Sequence, residues 1–284
     1  MPSLVPLKPI DYLIIGHLSQ DLTPEGPRLG GTAAYAALTA RALGLRVGVV
    51  TAFGEDVSIK VLVDHQIQAF ILPASHSTTF ENVYSAGGRV QYLHHVAGSI
   101  AFAHVPQAWR HASIVHLGPI VQEVEPVLDG TFSPDLLGLT PQGWLRAWNG
   151  DGRVRPCAWV RATEALSRAG AAVISIEDVG GDEEQIEPMV LASRVLAVTE
   201  GPAGARLYWN GDLRRFLAPV MAEVDATGAG DIFAAAFFIR LYATRDPWEA
   251  ARFATRLASF SVARRGLEGI PTQEEIQTCL VEVL

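Results

Sequence analysis

Residues 11–52 spell a strand, a helix and a second strand in direct succession, and that order constrains the fold more than anything else in the chain. Asp11-Tyr12-Leu13-Ile14-Ile15-Gly16 is a short apolar run ending in glycine, the pattern of a buried strand. Gly30-Gly31 then opens an alanine-rich helical segment, 32–43, which Gly44 closes. Residues 46–52 form the next apolar run. Two buried strands joined through a helix require a parallel sheet, so the chain reads as an α/β protein. Further buried strands are expected at 113–117, 172–176 and 195–199, with helices at 159–169 and 183–192. Asn210-Gly211 between residues 205–209 and 213–218 is a hairpin signal.

The last third is the most plainly helical. Asp246-Pro247-Trp248-Glu249 supplies an N-cap, a proline at the first helical position and a Glu three residues after the cap. That helix is expected over 250–265, stopping at Gly266, and Thr272-Gln273-Glu274-Glu275 opens another. Residues 69–96 behave differently. They alternate apolar and polar side chains around Gly87-Gly88, which reads as a small antiparallel element, and residues 16–30 are suited to join it.

Composition excludes several functions. A net charge of -8 gives no bulk attraction to nucleic acid or an anionic membrane. Cys157 and Cys279 are too few for a disulfide framework or a cysteine-rich metal site, and read as reduced thiols of a cytoplasmic protein. Residues 1–6 lack the basic start and apolar run of a signal peptide, and no apolar run is long enough to span a membrane.

The chemistry concentrates in Val224-Asp225-Ala226-Thr227-Gly228-Ala229-Gly230-Asp231-Ile232-Phe233. Small residues lead straight into an apolar helix. Gly228 and Gly230 let a ligand approach the backbone, and a helix start favours phosphate through its N–H groups and dipole. Asp231, just inside that start, is poorly placed to hold phosphate but well placed to take a proton from a hydroxyl attacking it. The amides of Gly228, Ala229 and Gly230 would balance charge on the transferred group. Read from the residues alone, Asp225 and Asp231 could also simply cap a helix.

Asp225-Ala226-Thr227-Gly228-Ala229-Gly230-Asp231 resembles the C-terminal signature of the ribokinase-like (PfkB) carbohydrate kinases, Asp-Thr-Gly-Ala-Gly-Asp with one residue inserted. The resemblance extends along the chain. Gly16-His17-Leu18-Ser19-Gln20-Asp21 is similar to the family's first strand and its sugar-binding Asp. Gly30-Gly31-Thr32-Ala33-Ala34-Tyr35 resembles its N-terminal signature. Val198-Thr199-Glu200-Gly201-Pro202-Ala203-Gly204 resembles the segment beside the nucleotide, and residues 250–266 fall where the family closes over adenine. The resemblance implies a ribokinase-like three-layer α/β/α sandwich with a mostly parallel sheet. It implies one domain over 1–284, with a small β lid from parts of 17–29 and 69–96 that can serve as a dimer interface.

The same resemblance assigns roles. Asp231 matches the catalytic base, and Gly228, Ala229 and Gly230 the anion hole. Asp21, Gly30 and Gly31 match positions that hold substrate hydroxyls; Thr199, Gly201, Gly204 and Thr227 match nucleotide-side positions. Tyr35 stands where many members have an Asn that touches the sugar, so the substrate or its pose should differ. The family's Asn-x-x-Glu motif, which organises Mg²⁺, is replaced by Ser175-Ile176-Glu177-Asp178, leaving Asp178 and then Glu177 as magnesium candidates. Leu139-Thr140-Pro141-Gln142-Gly143-Trp144-Leu145-Arg146 and Thr79-Phe80-Glu81-Asn82 resemble a subgroup that includes myo-inositol-kinase-like members. They add Gln142, Glu81 and Asn82 as substrate candidates.

The implied activity is ATP- and Mg²⁺-dependent phosphorylation of a sugar or cyclitol hydroxyl. A nucleoside kinase of the same fold and a non-catalytic homologue that binds sugar or nucleotide stay open. A P-loop kinase is excluded, because neither Lys8 nor Lys60 follows a glycine. A dinucleotide fingerprint, a Gly-x-Ser-x-Gly elbow and a His-Glu-x-x-His zinc motif are likewise missing. His94 and His95 fall on successive strand positions and face opposite ways, so they make a poor metal pair.

Overall fold

The computed structural model describes residues 7–85 and 88–281. Residues 1–6, and Gly87 of the expected Gly87-Gly88 turn, lie outside the described residues.

The opening strand–helix–strand unit forms as its residues dictate. β1 (Tyr12–Ile15) alternates across the sheet: Tyr12 and Ile14 enter one core, Leu13 and Ile15 the other. A strand apolar on both faces must be covered on both, and the rest of the chain does so. After β2 (Ser19–Thr23) and β3 (Gly26–Gly30), helix α1 (Thr32–Ala42) leads to β4 (Val47–Phe53), which pairs parallel with β1. A short α2 (Lys60–Asp64) precedes β5 (Gln68–Pro73), parallel to β4 at the sheet edge. β6 (Thr78–Ser85) and β7 (Gly88–His95) form an antiparallel hairpin.

β8 (Ile114–Leu117) and β9 (Leu136–Leu139) return to the main sheet, followed by a small ribbon of β10 (Arg146–Trp148) and β11 (Val154–Pro156). Next come α3 (Ala162–Arg168), β12 (Ala171–Ser175), α4 (Glu183–Ala192) and β13 (Val195–Thr199). The hairpin of β14 (Ala205–Trp209) and β15 (Asp212–Phe216) bends at Asn210-Gly211. Three helices complete the chain: α5 (Ala229–Thr244), α6 (Pro247–Ser261) and α7 (Gln273–Leu280).

The main sheet runs β15-β14-β13-β12-β9-β8-β1-β4-β5, parallel from β5 to β13 and closed by the antiparallel hairpin. α1, α2, α5, α6 and α7 contribute to the core on one face, α3 and α4 to the core on the other. That is a three-layer α/β/α sandwich. Among the described residues no helix is long and apolar enough to cross a membrane.

The second sheet has the order β3-β2-β6-β7. This corrects the expected extent of the antiparallel element over 69–96. Residues 69–73 belong to β5, at the edge of the main sheet, and only β6 and β7 join β2 and β3. β5 alternates between partly buried and exposed side chains, as an edge strand does, so its pattern matched that of a solvated sheet. A small cluster of Phe80 and Leu93 with Ile120 and Val121 packs beneath this second sheet. The helix expected through 265 ends at Ser261 and gives way to a tight turn over Gly266–Gly269.

Candidate active site

Two helix starts meet here. α1 begins at Thr32 after Gly31, and α5 begins at Ala229 after Gly228. The Thr32 hydroxyl donates to Asp231 Oδ1 at 2.7 Å, across 199 positions of sequence. Both helix dipoles therefore point their positive ends toward one place.

The turn before α5 is braced on each side. Asp225 Oδ1 accepts the Thr227 amide at 2.9 Å, and Oδ2 accepts the Gly266 amide at 3.0 Å. Burial would raise the Asp225 pKa, but hydrogen bonds from Thr227 and Gly266 outweigh it and hold the carboxyl below its ordinary value. Asp225 is thus a built-in anion of the turn. Gly228 adopts φ 81°, and a Cβ there would overlap the Tyr35 ring. Only glycine fits both the backbone and the space. Gly230 faces open space, which leaves that side of the helix start accessible. The Ala229 amide donates to the Ala226 carbonyl at 3.2 Å. This corrects the expected three-amide hole: the turn itself uses the middle donor, leaving the Gly228 and Gly230 amides.

Asp231 is half-buried. Burial pushes its pKa up to about 6, against the Thr32 hydrogen bond and the nearby Arg146 charge; Asp178 and Asp21 push the same way as burial. A base of that pKa is ionised at neutral pH yet remains a competent proton acceptor. If Asp231 is the base, turnover should rise with pH through about 6 and then level. A kcat–pH profile checks this; a flat profile from pH 5 to 8 would rule the acid out.

The expected substrate residues separate on inspection. Asp21 on β2 pairs with Phe80 on β6, so it shares the inner face of the second sheet. Ser19 Oγ donates to its Oδ1 at 3.0 Å, and Gly30 lies directly against its carboxylate. A Cβ on Gly31, at φ 87°, would come within 2.7 Å of the His17 carbonyl. Asn82 falls on the same face as Phe80 and accepts from Gln91 Nε2 at 3.1 Å. Glu81 falls on the opposite face, where it accepts from His94 Nε2 at 2.8 Å. It is corrected from substrate contact to outer-face residue, because successive strand positions point opposite ways. Tyr35 is 2% exposed, its ring filling the space behind Gly228. It backs the turn from the position where the resemblance expects a residue beside the sugar.

On the remaining side, Gln142 Nε2 donates to Asp178 Oδ1 at 3.3 Å, and the Ser175 amide donates to Oδ2 at 2.9 Å. Burial raises the Asp178 pKa, with Arg146 opposing. Glu177 is exposed. Thr199, at the end of β13, donates to the Ile174 carbonyl at 3.3 Å. Gly201 is exposed with open space around it, and Thr227 is exposed beside the turn. Gly204 is buried, and a Cβ there would overlap the Phe216 carbonyl, so it packs against the end of the β14–β15 hairpin.

Two residues escaped the sequence reading. The Gly30-Gly31 motif gives Thr32 no role of its own; its position directly after the two glycines, first in a helix, is the available signal. Arg146 opens β10, and its guanidinium lies 5.8 Å from the Phe80 ring centroid while its charge acts on both Asp231 and Asp178. Removing that cation should let both acids rise further. Arg146→Met is therefore expected to shift the acid limb of the kcat profile to higher pH, cutting turnover more at pH 6 than at pH 8. A uniform loss at every pH would count against an electrostatic role.

Comparison with known proteins bears on the family and the fold. Residues 164–273 match the pfkB family carbohydrate kinases. Ribokinase of Bacillus subtilis (strain 168) is 41% identical over 96 residues, which is 33% of this chain and 32% of that protein. Inositol 3-kinase of Oryza sativa subsp. japonica is 26% identical over 285 residues, covering 94% of this chain and 71% of the relative. A solved pyrophosphate-dependent kinase of the ribokinase family, in complex with a pyrophosphate analogue and myo-inositol, superposes with a TM-score of 0.76 at 19% identity. It covers 95% of this chain and all (100%) of that one. The pfkB match covers residues 164–273, and the chain as a whole has the fold of the ribokinase family.

Proposed function

We propose that this chain transfers the terminal phosphate of ATP to a hydroxyl of a sugar or cyclitol, with a myo-inositol-like acceptor favoured. One observation carries the reading. A carboxylate of raised pKa is fixed by Thr32 at the start of α5, beside a turn whose Gly228 and Gly230 amides donate to no other group among the described residues. Asp231 accepts the hydroxyl proton as the oxygen attacks the terminal phosphorus and ADP leaves. The two amides and the α5 dipole stabilise negative charge on the transferred group. Asp21 and Asn82, on the inner face of the second sheet, bind acceptor hydroxyls. That sheet acts as the lid of a single domain and excludes water that would otherwise hydrolyse the donor. Support for a cyclitol comes from the inositol 3-kinase relative, similar along almost the whole chain.

Magnesium fits a limited role. Among the described residues no group of three or more His, Cys, Asp or Glu is placed to hold a metal. A hydrated Mg²⁺ needs only one or two carboxylates together with phosphate oxygens, and Asp178 with Glu177 supplies them. Bound there, it would offset phosphate charge. Free Cys157 and Cys279 suit a reducing cytoplasm. A homodimer through the lid's outer face, where Leu22 and Val83 are exposed, is part of the same proposal.

A coupled assay for nucleotide turnover across cyclitols, pentoses, hexoses and nucleosides tests the reading, with inorganic pyrophosphate as an alternative donor. Acceptor-dependent turnover with a cyclitol or sugar is expected. Transfer confined to nucleosides would replace the acceptor class, and no transfer to any acceptor would overturn the kinase assignment.

A further inference from the structure

Arg28 has no part in the reading above. It lies on β3 directly opposite Asp21, which places it on the inner face of the lid sheet with Phe80. β3 packs against the Gly266–Gly269 turn, and the Gly266 amide holds Asp225. The Tyr35 hydroxyl lies 3.8 Å from where a Gly266 Cβ would stand. Arg28 is therefore at the seam between the lid and the turn that precedes α5, and its charge reaches both Asp225 and Tyr35.

Its present partner is loose. Arg28 Nη2 meets Glu25 Oε2 at 3.3 Å, and the two side chains are 36% and 59% exposed. An ion pair so open to water contributes little and exchanges readily. Glu25 sits between two cations, since Arg265 from the turn after α6 also acts on it. The surrounding charge is otherwise acidic: Asp21 opposite, Asp225 beneath the turn and Asp231 beyond it. A phosphate donor entering there adds several negative charges. Arg146 serves the Asp178–Asp231 pair, and the turn itself offers only amides.

We propose, resting on the kinase reading, that Arg28 is a donor-contacting residue carried by the lid. As the terminal phosphates of a di- or triphosphate donor reach the Gly228–Gly230 turn, the guanidinium leaves Glu25 and binds them through paired N–H donors. The lid then senses donor as well as acceptor, and its closure requires both.

Steady-state kinetics of Arg28→Gln, Arg28→Lys and Glu25→Gln test this, with ATP and then inorganic pyrophosphate varied at saturating acceptor. Arg28→Gln is expected to raise the donor KM roughly tenfold or more, the scale of a lost charged hydrogen-bond pair, with the acceptor KM unchanged within twofold. Arg28→Lys should recover part of the loss, because a point charge lacks the fork. Glu25→Gln, which removes the resting partner, should lower the donor KM. A donor KM unchanged in Arg28→Gln, or a rise confined to the acceptor KM, overturns the proposal while the kinase reading stands. A wild-type protein with no transfer from either donor overturns both.

Discussion

Asp231→Asn should lower kcat by about three orders of magnitude, within the range of roughly 10² to 10⁴ typical of a positioned general base, while acceptor binding persists. The substitution keeps the shape of the side chain and an oxygen for the Thr32 hydroxyl, so the turn and α5 should keep their places. What it removes is the lone pair that takes the proton. Calorimetric titration of the acceptor against the variant, beside its turnover, separates chemistry from binding. Activity within tenfold of wild type would dismiss Asp231 as the base.

The same variant carries a stability signature. Asp231 has a folded pKa of about 6 against an ordinary value of 3.8. Its proton is held more tightly in the folded state, so the native state is favoured at low pH. That advantage is lost as pH rises from the unfolded value through about 6. Asn never ionises. The variant should therefore melt higher than wild type at pH 7–8, and the gap should close toward pH 4. An equal melting temperature at both pH values would show that burial exerts no such effect.

Gly228→Ala should have the second-largest effect. The added methyl meets the Tyr35 ring and forces a φ of 81° on a residue that resists it. Relief requires the turn to move, and a shift of about 1 Å at reacting atoms can cost on the order of 100-fold in rate. We expect a loss of that size in kcat and a melting temperature lower by several degrees. Tyr35→Ala in the same chain vacates the space and should return part of the activity. If the double variant is no better than Gly228→Ala alone, backbone strain and not the clash is responsible. Either way Tyr35 acts through packing, consistent with its 2% exposure.

The sequence and the structure part company where partners are distant. The first strand–helix–strand unit, the Asn210-Gly211 hairpin and the Thr272 capping box were legible because each is written in neighbouring residues. β9 went unread: Leu136–Leu139 is four residues long, with no helix leading in, and gains its identity only by lying between β8 and β12. β5 blends into the antiparallel pattern of 69–96 because edge exposure imitates an alternating solvated strand. Within the site, Gly228, Gly230 and Asp231 were visible as a local pattern. Thr32 and Arg146 were not, because their bearing on Asp231 exists only once the sheet has brought three remote segments together. Glu81 and Asn82 looked equivalent as adjacent polar residues, and strand geometry alone told them apart.

The bond between Thr32 and Asp231 has a consequence for how the protein comes into being. On the ribosome, the first 200 residues emerge carrying the residues proposed for the acceptor but no base. α5 contacts α1 and strands from the first half of the chain, so it must find a partly built sheet and dock late. On the mechanism proposed here, phosphoryl transfer begins only with that final docking, which brings Asp231 to Thr32.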